Sequence, residues 1–158
     1  MGLIYLDASV LIPLLVADAH TQRVVDWYSN GEGTLIVSDL ANLEVSAVVL
    51  RDLRKGRFAE EVARNALLDF DAMCANCERL THGAADFLLA QRLTRDYSTR
   101  LAAPDALHVA SAKSAGAALA TFDARLAEAA LGQGVEVAAL VEAGPPSQIV
   151  FDFIWSAM

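Results

Sequence analysis

The sequence is short of positive charge. Twelve lysines and arginines stand against 20 aspartates and glutamates in 158 residues, a formal net charge of −8. A protein that grips a nucleic-acid backbone by charge alone needs a basic face, so passive backbone binding is excluded. Cysteine is scarce too. Cys74 and Cys77 form one CxxC with no second pair to complete a zinc site, and it does not open a helix after a strand as a redox motif would. Their role reads as structural, and so few thiols suit a reducing compartment, the cytoplasm. Long apolar runs are missing although mean hydropathy is +0.37. The stretches 3–17 and 115–122 are broken by Asp7, Pro13 or Gly116 and fall short of the ~18 apolar residues of a membrane span. No basic segment precedes an apolar one in the manner of a signal peptide. Internal repeats and low-complexity composition are absent as well.

What is present is a large apolar fraction, 55%, in a chain of single-domain length, enough to bury a core without staples. No linker-like segment occurs before Gly144-Pro145-Pro146, so residues 1–143 read as one unit and 144–158 as an apolar tail. In that tail, Ile149 to Trp155 has strand propensity. It reads as adding to the sheet, covering the core or pairing with another chain, with the first two slightly favoured.

Short continuous apolar runs, Leu3–Leu6 and Leu35–Val37, suit strands buried on both faces. Glu78–Thr81, Ala117–Thr121 and Val135–Val137 read as further strands. Helices are expected over Ser9–Ala17, from a cap at Thr21 to Asn30, from Leu40 to Lys55 behind a Ser38 or Asp39 cap and before Gly56, over Phe58–Cys74, Gly83–Tyr97, Asp105–Ala115 behind Pro104, and Ala124–Leu131. Strands alternating with helices imply an α/β fold with a parallel sheet covered on both faces. Ligands of such sheets bind beyond the carboxyl ends of the strands, where strand order reverses.

Four carboxylates fall at that edge. Asp7 and Asp123 follow strand ends, Asp105 opens a helix, and Glu44 lies early in the helix after Leu35–Val37. Each has an ordinary explanation: strand-end turns for Asp7 and Asp123, a helix-dipole partner for Asp105, a solvated helical position for Glu44. Together in one crevice they would repel one another, raise some pKa values or recruit a cation. An all-oxygen set selects a hard cation, Mg²⁺ or Mn²⁺.

Four segments, in this order, carry a resemblance: Tyr5-Leu6-Asp7-Ala8-Ser9-Val10-Leu11, Ser38-Asp39-Leu40-Ala41-Asn42-Leu43-Glu44-Val45, Pro104-Asp105-Ala106-Leu107-His108-Val109-Ala110-Ser111-Ala112 and Ala120-Thr121-Phe122-Asp123-Ala124-Arg125-Leu126. Over about residues 2–140 the sequence resembles PIN-domain ribonucleases, of the kind found as VapC toxins of bacterial toxin–antitoxin pairs. The resemblance implies a three-layer α/β/α sandwich with a five-stranded parallel sheet. It implies that Asp7, Glu44, Asp105 and Asp123 form a catalytic Mg²⁺ (or Mn²⁺) site acting on RNA, with Ser9 and Thr121 orienting the ligands through their hydroxyls. Ser9 also reads as a helix cap, a compatible role. The resemblance further implies an antitoxin partner and a homodimer, with alanine-rich helices and Val10–Val16 as apolar surface.

The net charge then excludes only metal-free binding of RNA. Arg125, two residues past Asp123, is the best placed RNA contact. The groups Arg51, Arg54, Lys55, Arg57 and Arg92, Arg95, Arg100 are further phosphate contacts or, more simply, solvated helix ends. His108 reads as a packed polar residue rather than a base, and His20 and His82 lack partners for a metal site. Two other classes compete. A non-catalytic PIN-fold module for RNA or protein binding is disfavoured by the presence of all four acids. A phosphatase using Asp7 as nucleophile would carry a second Asp two residues on, where this chain has Ser9.

Overall fold

The computed structural model describes residues 2–138 and residue 140, and the 144–158 tail lies outside the described residues. The elements follow in the order β1 (Leu3–Leu6), α1 (Ala8–Leu15), α2 (Thr21–Asn30), β2 (Thr34–Ser38), α3 (Asp39–Arg54), α4 (Glu60–Cys74), β3 (Glu78–Leu80), α5 (Ala84–Arg95), α6 (Ala103–Ala115), β4 (Ala118–Ala120) and α7 (Ala124–Gly132). The strands pair in parallel in the order β3-β2-β1-β4, with Tyr5 opposite both Ile36 and Leu119. Strand order reverses at β1, which places the expected crevice at the carboxyl ends of β1 and β4.

Successive strand residues point to opposite faces, and the core divides accordingly. Tyr5, Ile36 and Leu119 join one apolar cluster with Leu93, Leu107, Val109 and Leu126, from α5, α6 and α7. Leu6, Val37 and Ala120 join the other with Val10, Leu11, Val24, Val45, Val49 and Phe70, from α1 to α4. Two helical layers thus sandwich the sheet. Removing a fully buried aromatic such as Phe70, 1% exposed, would cost about 3–5 kcal/mol on this account.

The sheet has four strands among the described residues, not five. At the fifth position Val137 makes a single parallel bridge to Leu119, held by Leu119 N–H to the Glu136 carbonyl and Ala138 N–H to the Leu119 carbonyl, each 2.8 Å. Among the described residues no longer ladder extends from that contact. Thr21 is not the cap of α2. Its hydroxyl donates to the Pro13 carbonyl and accepts from Asp18 N–H, tying α2 back to α1. Gly116 ends α6 in the left-handed conformation, φ 62°, so that β4 can begin at once. Much of Val10–Val16 is consumed by the chain's own core, since Val10, Leu11, Pro13 and Leu15 are buried in α1.

Candidate active site

The site begins at the end of β1. Asp7 is the N-cap of α1, its Oδ1 accepting from Val10 N–H at 3.3 Å. It is only 4% exposed. The Ser9 hydroxyl donates to Oδ1 and the Thr121 hydroxyl to Oδ2, both at 2.6 Å. Ser9 itself accepts from Phe122 N–H at 2.9 Å, and Thr121 accepts from Asp123 N–H at 3.0 Å. Asp7, and not Ser9, therefore caps the helix, while Ser9 and Thr121 stitch the end of β1 to the segment after β4. Burial pushes the Asp7 carboxyl up, against the opposing pull of the Ser9 and Thr121 hydroxyls.

Asp123 caps α7, accepting from Arg125 N–H and Leu126 N–H at 2.8 and 3.2 Å. Asp105 lies in the first turn of α6, half-buried. Its carboxyl is raised by burial first and then by the negative charge of Asp123, with Glu44 adding to the rise and His108 opposing it. Asp105, Asp123 and Glu44 thus share one electrostatic neighbourhood. No Lys or Arg pairs with Asp7, Asp105 or Asp123 among the described residues.

Glu44 reaches over the carboxyl edge of the sheet from α3. Its Oε2 meets His108 Nε2 on α6 at 2.6 Å. His108 Nδ1 lies 2.7 Å from the Tyr5 hydroxyl, and that hydroxyl 2.6 Å from Ser38 Oγ. Ser38 in turn caps α3 by accepting from Ala41 N–H at 3.0 Å. The sequence reading placed Tyr5 only in a strand and Ser38 only at a cap. A tyrosine in an aliphatic strand was the available signal, because a buried hydroxyl needs a partner.

The donor set suits a hard cation. It is all oxygen, and a buried carboxylate without a cationic partner calls for a counter-charge. Among the described residues no three His, Cys, Asp or Glu side chains are grouped closely enough to hold a cation as they stand. The candidate contacts outside the acids are spread out. Arg125 is exposed in the first turn of α7, beside Asp123. Arg51 and Arg57 both pair with Asp52 near the end of α3, about 10 Å or more beyond Glu44 along the helix. Arg92 and Arg95 occupy the last turn of α5. His20 stacks on Phe122 with ring centroids 4.5 Å apart. Cys74 and Cys77 are half-buried free thiols, and burial pushes Cys74 up to about 11, away from reactivity.

The sequence profile of the PIN domain matches residues 4–131. No curated protein sequence matches the chain. Among solved structures, it is similar to VapC20 of Mycobacterium tuberculosis, a toxin that cleaves the sarcin–ricin loop, at 18% identity over 90% of this chain and 99% of that one, TM-score 0.66. It is similar to FitAcB of Neisseria gonorrhoeae at 20% identity over 86% and 96%, TM-score 0.65. DNA-bound VapBC of Salmonella typhimurium aligns at 14% identity over 87% and 97%, TM-score 0.61. At these identities the likeness is one of fold.

Proposed function

The chain belongs to the PIN-domain family, and on that premise we propose that it is a divalent-cation-dependent endoribonuclease, the toxin of a toxin–antitoxin pair. The observation that carries this reading is Asp7: a buried carboxylate gripped at both oxygens by hydroxyls from the ends of β1 and β4, with no Lys or Arg partner among the described residues. Asp7, Glu44, Asp105 and Asp123 would hold Mg²⁺ or Mn²⁺. Such a cation supplies a bound water of lowered pKa and offsets charge on the phosphoryl oxygens. Ser9 and Thr121 keep Asp7 in one orientation, and only Oδ2 retains an acceptor position for a cation. Asp123 fixes the start of α7 and with it the place of Arg125, which would contact a substrate phosphate.

The toxin role draws on the neighbours, among them a toxin–antitoxin complex from Klebsiella pneumoniae. An antitoxin segment would find an apolar cleft of about 590 Å³, lined by Leu14, Val25, Trp27, Tyr28 and Met73. Leu43, Phe87, Leu88 and Tyr97 are exposed apolar residues, and a homodimer would cover surface of this kind. No helix among the described residues is long and apolar enough to cross a membrane. The free thiols accord with action in the cytoplasm.

Single-turnover cleavage of RNA in Mg²⁺ or Mn²⁺ tests the reading. Asp7→Asn and Asp105→Asn are expected to lose activity by about a hundredfold or more, the scale on which one stabilising group acts in a preorganised site. Wild-type rates in both variants would overturn the assignment.

A further inference from the structure

The two helical layers meet over the carboxyl edge of the sheet at Glu44 and His108. α3 packs on one face and α6 on the other, yet Glu44 Oε2 and His108 Nε2 are 2.6 Å apart. We propose that His108 is a positioning residue, which aims the Glu44 carboxylate into the cation site through a hydrogen-bond chain running from Ser38 through Tyr5. This inference rests on the four-carboxylate reading above.

With a neutral His108 the chain has one self-consistent direction. An ionised Glu44 can only accept, so Nε2 carries the hydrogen. Nδ1 then accepts from the Tyr5 hydroxyl, and Tyr5 accepts from the Ser38 hydroxyl, whose oxygen accepts from Ala41 N–H. In that state both ring nitrogens and both hydroxyls of the chain are engaged, and the tautomer of His108 is fixed. Burial holds the Tyr5 phenol far above its ordinary value, so it keeps the proton it donates. The ring cannot turn away: its side chain is 3% exposed, against 27% for Glu44. The rigid partner is the histidine, and the carboxylate is the part that needs holding.

A free glutamate on a helix surface samples several rotamers, and ordering it costs entropy on ligand binding. Here that ordering is complete before any ligand arrives. Oε2 is anchored, while Oε1 makes no hydrogen bond among the described residues and remains available for coordination. Donors behind ligating groups act in this way, and removing one typically costs about 10–100-fold in metal affinity.

Mn²⁺ binding by calorimetry tests the proposal, on wild type, Glu44→Gln, His108→Ala, His108→Gln, His108→Met and Tyr5→Phe, each first shown to melt cooperatively. Glu44→Gln and His108→Ala are expected to weaken Mn²⁺ binding about tenfold or more. His108→Gln keeps an N–H donor and should recover part of the loss, whereas His108→Met, which lacks one, should not; this pair carries the contrast if the alanine variant does not fold. In ¹⁵N spectra of the metal-free protein His108 should show the Nε2–H tautomer, and Tyr5→Phe should shift its Nδ1 resonance. Equal or tighter Mn²⁺ binding by His108→Ala, with Glu44→Gln weakened, would overturn the positioning role and leave the four-carboxylate site standing. A wild-type protein with no Mn²⁺ affinity would overturn that site, and this proposal with it.

Discussion

The Thr121 hydroxyl donates to Asp7 Oδ2 at 2.6 Å across 114 residues of sequence, and Thr121 Oγ1 also accepts from Asp123 N–H at 3.0 Å. One side chain therefore fixes both strand-end aspartates. Valine matches threonine in shape but lacks the hydroxyl, so Thr121→Val strips a buried carboxylate of a donor and Asp123 N–H of its acceptor. A cost of about 1–3 kcal/mol is expected, read by calorimetry as a fall of about 2–4 °C in Tm for each kcal/mol. Thr121→Ser keeps the hydroxyl and should melt close to wild type. Equal melting of the valine variant and wild type would show that these hydrogen bonds contribute nothing net.

Burial makes Asp7 a source of pH-dependent instability in the metal-free protein. Its folded carboxyl is raised, so the folded state binds a proton there more readily than the unfolded chain. The wild-type fold then loses stability as pH rises from the unfolded value, about 3.9, through the folded one. Asparagine cannot ionise and still caps a helix. Asp7→Asn should therefore melt above wild type at neutral pH in chelator, with the difference closing on acidification. Added Mg²⁺ should stabilise wild type and not the variant, since a ligand stabilises only the state that binds it. Melting curves from pH 4 to 8, with and without metal, check both halves. A difference that stays constant across that range would remove burial of the charge as its cause.

The parts of this protein that were legible in the sequence are those set by local rules. Leu3–Leu6 and Leu35–Val37 were readable as strands because a doubly covered parallel strand is apolar at every position. Ser38, Pro104 and Gly116 marked helix ends by their own backbone chemistry. Asp7, Glu44, Asp105 and Asp123 stood out as charges in apolar surroundings at strand and helix ends. The chain from Ser38 through Tyr5 and His108 to Glu44 was not legible, because it joins residues up to 103 positions apart whose identities are individually ordinary. The fifth strand was over-read for the opposite reason. Val135 to Val137 has strand composition, but among the described residues only Val137 pairs, by a single bridge to Leu119, and composition does not report pairing.

Asp105 and Asp123 come from α6 and the cap of α7, and each feels the other's charge. After burial, the Asp123 carboxylate is the largest influence raising Asp105. Asp123→Asn removes that charge and retains a side-chain oxygen for Arg125 N–H and Leu126 N–H. The Asp105 carboxyl should then titrate at lower pH, as followed by its ¹³C resonance in metal-free protein. The shift should shrink at high salt, because both groups have some solvent access. An unmoved Asp105 titration would separate the two carboxylates and argue against a shared cation site.

Arg125 offers a way to separate substrate binding from metal binding. Its side chain is exposed, and only its backbone N–H engages Asp123. Neither α7 nor the acidic cluster depends on the guanidinium, so Arg125→Ala should leave the melting temperature and Mn²⁺ affinity unchanged. If the side chain meets an RNA phosphate, its loss should weaken binding of single-stranded RNA several-fold at low salt. The plot of log K against log salt should also flatten by about 0.7, the contribution of one phosphate contact on a single strand. The comparison is best made with Mg²⁺ present and a non-cleavable RNA analogue, so that the cation site stays intact and RNA is not consumed. Arg125→Lys should restore most of the slope, since a single positive charge suffices for the counterion term. A variant that binds RNA with wild-type affinity and slope would place the phosphate contact elsewhere, with the remaining arginines on α5 and α3 next to be tested.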